Sequence, residues 1–180
     1  MTYRILTVCT GNICRSPMAE YALREAAQQA GLGDEVEVSS VGTTREEVGN
    51  PIDRRAGELL RRHGIDPSAH RARHLSDQEL EDADLVLALD HDHVDPLRHL
   101  GGDGLDGRLH MVRDFAPEPV DDTGIRDPWW GDESDFELAW EQITDATDGI
   151  LQKVRADLGR DRRSADDAGS DRADEDEAAR

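Results

Sequence analysis

The sequence predicts an α/β protein built on a doubly wound parallel sheet, and three observations carry that prediction. Apolar, β-branched runs that read as strands alternate with helical patterns along most of the chain. One of them, LVLALD at 85–90, is continuously apolar up to its last residue, as befits a strand covered on both faces. The first run leads into a turn-rich stretch and then a helix start, the order found where ligands sit at the carboxyl ends of parallel strands.

Residues 3–9 (YRILTVC) read as the first strand and TGNICRS as a loop. Ser16-Pro17 is a helix start, with Ser16 as N-cap and Pro17 in the first turn; Met18, Tyr21, Ala22 and Glu25 continue it to Gly31. Residues 35–41 (EVEVSSV) alternate as a second strand, and 42–50 form a loop. Between Asp53 and His63, Ala56, Leu59 and Leu60 make an apolar stripe on a basic helix that Gly64 closes. Ser76 to Asp82 is a short capped helix, 85–90 the third strand, and a helix follows through Leu97 and Leu100. Residues 108–112 (RLHMV) read as the fourth strand. From Phe115 to Glu133, three prolines and the pair Trp129-Trp130 mark a long loop of the kind that carries function. Ser134 caps a last helix expected to end at Leu158, which closes a folded domain over 1–158. From Gly159 onward no apolar side chain exceeds alanine, so 159–180 is expected to be an acidic, disordered tail.

A chain of 180 residues is long enough for one domain with its own core. Its net charge of −20 argues against a nucleic-acid partner, since phosphate backbones are held by surplus Lys and Arg. No apolar run reaches the length of a membrane span, and no signal-peptide cleavage pattern follows the first strand, so a cytoplasmic location is expected. Lys153 is the one lysine among 21 basic residues. An Asp-rich, Lys-poor surface suits a saline cytoplasm, where the Debye length shrinks to about 3 Å at 1 M salt; a codon bias toward Ala, Arg, Gly and Asp produces the same composition. Two cysteines make no disulfide framework, and because Cys9 and Cys14 share one short loop the question they pose is chemical.

That loop, Cys9-Thr10-Gly11-Asn12-Ile13-Cys14-Arg15-Ser16, has the pattern C-x5-R-S between a strand and a helix N-terminus. A short loop there can turn the backbone N–H groups of residues 10–15 inward as an anion nest backed by the helix dipole, and a tetrahedral oxyanion fits it. Arg15 can fork two donors onto two phosphate oxygens, which a lysine cannot. Gly11 eases the turn, and Asn12 is a residue type that tolerates positive φ. The same field favours a thiolate, which makes Cys9 a candidate nucleophile with Ser16 placed to donate to its sulfur. On the C-x5-R spacing alone, a buried strand-end thiol and a surface arginine remain an equal reading. His91-Asp92-His93 with Asp90 and Asp95 invites a metal site, but the spacing places the histidines toward solvent at a helix start with no completing ligand. Asp90 is better read as an N-cap and no metal is assigned.

The wider string VCTGNICRSPMAE resembles the low-molecular-weight protein tyrosine phosphatases. Further family-like strings follow in order: VGNPID at 48–53, HGI at 63–65, the H-x-A-R of His70 to Arg73, the strand ending in Asp90, and DPWWGDESDFE at 127–137. The resemblance covers roughly 3–155. It implies a four-stranded parallel sheet flanked by helices on both faces, with the phosphate-binding loop after the first strand, and a cysteine-dependent phosphoric monoester hydrolase without cofactor. It assigns Asp127 as the acid that protonates the leaving group and then the base for water. Asn12, Ser40 and His70 become the support of the loop and of Ser16, although His70 reads equally as a structural histidine. It implies that Cys14 traps an oxidised Cys9 as a disulfide, and hence reversible peroxide inactivation.

Trp129 and Trp130 resemble the aromatic pair that walls the family's crevice beside Ile13, and at least one of them is expected to pack the loop down. Across the crevice, where the family often has an aromatic residue, this chain reads Arg45-Glu46-Glu47. The reading is therefore a phosphotyrosine phosphatase acting on phosphorylated protein or aryl phosphate, as a monomer or weak homodimer. An arginine phosphatase of the same fold resembles the chain at LVLALDHDH, but that branch carries threonine at the position of Ile13 and a smaller residue at that of Trp129. Arsenate reductase needs relay cysteines that are missing after Cys14. A non-catalytic phosphate-binding module needs neither Cys9 nor Asp127.

Overall fold

The computed structural model describes residues 2–177, with side-chain burial described through residue 159; Met1 and 178–180 lie outside the described residues. Four strands, β1 (Tyr3–Cys9), β2 (Val36–Gly42), β3 (Leu85–Ala88) and β4 (Leu109–Met111), form one sheet in the order β2-β1-β3-β4. All pairings are parallel, with Cys9 opposite Gly42 and Val8 opposite Ala88. The chain leaves β1 toward β2 on one side and reaches β3 on the other. The carboxyl ends of β1 and β3 therefore flank the point where connections diverge and a crevice opens.

Helices α1 (Arg15–Gln29), α2 (Arg54–Arg62) and α5 (Glu133–Glu177) cover one face, and α3 (Asp77–Asp82) and α4 (Val94–Gly101) the other. All four residues of β3 are buried: Leu85 and Leu87 face the α1 and α5 side, while Val86 and Ala88 face Leu80 and Leu97. The continuous apolar run meets a real two-sided burial. On α2, Ala56, Leu59 and Leu60 are fully buried, each leucine worth about 1.5–3 kcal/mol of transfer free energy. Asp53 caps that helix by accepting from the Arg55 N–H at 2.8 Å, and Gly64 follows it at φ +79°.

Three boundaries differ from the sequence reading. Ser16 is not the cap of α1: the helix begins at Arg15 after Cys14, and the Ser16 hydroxyl is drawn into the loop beside it, where a buried thiol and amide compete for it. Asp132, not Ser134, starts α5; its Oδ1 accepts from the Ser134 N–H at 2.9 Å while its own N–H reaches Asp135 Oδ2, since a carboxylate is the stronger acceptor at a positive helix end. Helix α5 does not stop at Leu158. Leu158 makes the last described contact with the core, yet the backbone stays helical to Glu177, where the disordered tail was expected. Residues 159–177 contain no proline, so despite Gly159 and Gly169 nothing sterically bars the continuation of a helix already nucleated by packing. Among the described residues, no helix is long and apolar enough to cross a membrane.

Candidate active site

The crevice at the carboxyl ends of β1 and β3 is a cavity of about 190 Å³ whose floor is Cys9 to Arg15 without Asn12. Its walls are Thr44, Glu46 and Glu47 on one side and Asp127, Trp129 and Trp130 on the other. Cys9, Ile13, Arg15, Glu46, Asp127 and both tryptophans, singled out at widely separated positions in the sequence, thus line one space. The described fold brings them there because β1 delivers Cys9, β2 delivers the 43–47 loop, and the chain beyond β4 returns with Asp127.

The floor is held from below by buried polar groups. Asn12 takes φ +58°, the left-handed region, and all of its side chain is engaged: Nδ2 donates to Ser16 Oγ at 2.9 Å and to Ser40 Oγ at 2.8 Å, and Oδ1 accepts from the Arg73 N–H at 2.8 Å. His70 Nε2 donates to the Asn12 carbonyl at 2.8 Å, and burial pushes the imidazole pKa down, so it is neutral at pH 7. Ser40 donates its own hydroxyl hydrogen bond to Glu20, which Arg24 pairs at 2.6 Å. Ser16 Oγ lies 3.0 Å from Cys9 Sγ, and the Asn12 N–H points at the same sulfur at 3.3 Å. Cys14 is different. Burial first, then the Asp53 carboxylate and Cys9, push its thiol well above the ordinary range, so it stays protonated.

Arg15 is 3% exposed, and its guanidinium is fixed by three acceptors: Asp127 Oδ2 at 2.8 Å, Asp90 Oδ2 at 3.1 Å and the Ile125 carbonyl at 2.9 Å. Asp90 also caps the turn that follows it, as the sequence predicted. Its contact with Arg15 was not legible, because the two residues are 75 positions apart.

Three further residues escaped the sequence reading. Gly42 ends β2 where an added Cβ would stand 2.7 Å from the Thr10 carbonyl and 3.1 Å from the Asn12 nitrogen, so only glycine lets the two backbones approach. Arg55 reaches from α2 to the Gly131 carbonyl at 2.9 Å and the Trp129 carbonyl at 3.1 Å, with Asp53 bracing it and Phe136 under its guanidinium. Asp53 in turn donates its N–H to the Ile13 carbonyl, which ties the floor to the Asp127 wall. His93 was placed toward solvent; it is in fact 1% exposed, turned inward because its ring satisfies the Asp90 N–H and reaches Thr10. The aromatic wall also departs from expectation. Trp129 is 43% and Trp130 81% exposed, stacked edge to face at 4.4 Å, so neither is packed away and Arg55 does the fastening instead.

Comparison with known proteins fits this geometry. The sequence profile described as low molecular weight phosphotyrosine protein phosphatase matches residues 4–161, nearly the whole folded chain. The chain belongs to that family. Among its low molecular weight phosphatase relatives, a protein of Mycobacterium tuberculosis named low molecular weight protein-tyrosine phosphatase A is 43% identical over 154 residues, 85% of this chain and 92% of that one. A Streptomyces coelicolor low molecular weight protein-tyrosine-phosphatase is 39% identical, covering 86% and 95%. The human low molecular weight phosphotyrosine protein phosphatase is 31% identical, covering 85% and 96%. The crystal structure of YfkJ from Bacillus subtilis superposes with a TM-score of 0.81 at 31% identity over 87% of this chain and 97% of that one. The four-stranded parallel sheet with a phosphate-type loop after β1 is the fold of these phosphatases.

Proposed function

We propose that this protein hydrolyses phosphotyrosine in proteins through a cysteinyl-phosphate intermediate. One observation carries the reading: Cys9, Arg15 and Asp127 converge on a single small crevice whose outer wall is two tryptophans. The cavity floor accepts a phosphoryl group on the inward N–H groups of residues 10–15, and Arg15 grips two of its oxygens. The Cys9 thiolate attacks phosphorus in line. As the P–O bond to the tyrosine breaks, the Asp127 carboxyl gives its proton to the departing oxygen. Water then attacks the thiophosphate, the Asp127 carboxylate takes a proton from it, and inorganic phosphate leaves with the Cys9 thiolate restored. Ser16 and Asn12 stabilise the thiolate each time it appears, and Ser40 and His70 hold Asn12.

Specificity is read from the walls. Ile13, Trp129 and Trp130 give the crevice an apolar lining that suits an aromatic ring. Glu46 and Glu47 stand where they give the rim negative charge, which disfavours acidic sequence beside the phosphorylated residue.

The test is hydrolysis of phosphotyrosine and phosphoarginine peptides side by side, at low and high KCl, with Cys9→Ser as the blank. Tyrosine preference supports the reading. Arginine preference keeps the mechanism and replaces the substrate, and absence of turnover leaves only phosphate binding. An increase in stability on going to molar KCl supports a saline setting for the acidic surface; indifference removes it.

A further inference from the structure

The His-Asp-His turn after β3 takes no part in the mechanism above, yet its two histidines behave differently. His91 is exposed and meets Asp122 at 3.0 Å. His93 is buried, its Nδ1 3.0 Å from the Asp90 N–H and its Nε2 3.0 Å from Thr10 Oγ1. The Asp90 N–H can only donate, so Nδ1 is an acceptor and carries no proton. Burial, and after it the nearby charge of Arg15, lower the His93 pKa to about 4, so the ring holds one proton at pH 7. That proton sits on Nε2 and is donated to Thr10 Oγ1.

A hydroxyl that accepts from an imidazole keeps its own proton for another acceptor. Among the described residues His93 is the partner of the Thr10 hydroxyl. Thr10 is exposed and lines the crevice, next in sequence to Cys9. The acceptor offered to its proton on that side is the occupant of the crevice. The same turn also holds Arg15 through Asp90 Oδ2, so one capped turn at the end of β3 orders two phosphate-facing side chains at once.

We infer that His93 is a positioning residue that aims the Thr10 hydroxyl into the crevice as a hydrogen-bond donor to the bound phosphoryl group. The inference rests on the phosphatase reading of the same site and adds a hydroxyl donor to a loop otherwise credited with its backbone N–H groups and the Arg15 guanidinium.

The test separates the bond to Thr10 from the bond to Asp90. His93→Asn keeps an acceptor near the Asp90 N–H but is too short to donate to Thr10. His93→Gln reaches the Nε2 position and keeps the donor. Thr10→Val is nearly isosteric at an exposed position, so it reports even where a His93 variant folds poorly. Parent and variants are assayed for aryl phosphate hydrolysis and for competitive inhibition by orthovanadate, with folding checked by thermal unfolding. The expected result is a fall of about tenfold in kcat/KM and a matching rise in the vanadate Ki for both Thr10→Val and His93→Asn. The double variant is no worse than either, and Thr10→Ser and His93→Gln stay within about twofold of the parent. Thr10→Val with parental kcat/KM and Ki overturns the inference, as does a double variant whose losses multiply. If the parent itself has no Cys9-dependent turnover, the phosphatase reading fails instead, and vanadate or phosphate binding by Thr10→Val still decides the donor role.

Discussion

The two sides of the crevice are built on opposite principles. The Cys9–Ser16 loop is fastened by a buried network in which Asn12, Ser16, Ser40, His70 and Glu20 satisfy one another, and Cys9 and Arg15 are each 3% exposed. The Asp127–Trp130 wall hangs from Arg55, from Ile125 bonded to Leu89, from the Arg15 pairing with Asp127 Oδ2 at 2.8 Å, and from a short turn in which Asp127 accepts the Trp129 N–H, while the tryptophan faces lie open. A fully satisfied buried network fixes one geometry, which an anion nest requires if it is to stabilise charge without reorganising. A lightly tethered wall can admit a bulky side chain and then bring its carboxyl to the leaving oxygen. In the proposed mechanism the grip on phosphate falls to the densely bonded side and proton delivery to the more exposed one.

The largest expected effect tests the rigid side. Asn12→Ala removes three side-chain hydrogen bonds from a residue at φ +58° and leaves Ser40 and the Arg73 N–H short of a partner. We expect kcat/KM to fall about a thousandfold and urea unfolding to show a loss of about 3 kcal/mol. Equal loss of function without loss of stability breaks the claim that grip and fold are one network.

Acid is the next lever on that side. His93 has its pKa lowered to about 4 in the folded chain, so between pH 6.5 and 4 the unfolded chain binds a proton that the folded chain does not. Its contribution to stability is fully present above pH 6.5 and is lost as the pH falls toward 4, a change of about 3 kcal/mol, with His70 acting in the same direction. Denaturant unfolding at pH 7 and 4.5 measures it; in His93→Gln the pH dependence shrinks by most of that amount.

Asp127→Asn addresses the mobile side. Its expected loss is about a hundredfold in kcat, larger for poor leaving groups, with the melting temperature little changed. A pronounced fall in stability shows that the acid loop is as integral as the phosphate loop and removes the contrast. The smallest effect belongs to Trp130, which is 81% exposed. Trp130→Ala is expected to raise KM for aryl phosphates a few-fold, about 1 kcal/mol of ring contact, and to leave stability and inorganic phosphate inhibition unchanged.

Much of this was legible in advance for physical reasons. Strand periodicity, the caps at Ser76 and Asp90, and the Gly64 stop are local, and local geometry is written within a few residues. The C-x5-R-S loop was legible because nucleophile, nest and guanidinium fit on one strand-to-helix turn. Asp127 was legible through its family-like string rather than through spacing. What stayed hidden required knowing which distant residues meet. Ser16 and Asp132 compete for roles that local propensity assigned elsewhere, and tertiary hydrogen bonds settled both.

The sequence by itself determined the sheet, most of its helices, the family and the candidate trio Cys9, Arg15 and Asp127, because each rests on short-range pattern or on a contiguous string. Tertiary structure alone decided that Gly42 must lack a side chain, that Arg55 fastens the tryptophan wall, that Asp90 braces Arg15 and that His93 turns inward to Thr10. Those facts concern the space between the ends of different strands. A parallel sheet brings such ends together whatever their separation along the chain, and one-dimensional spacing carries no record of that distance.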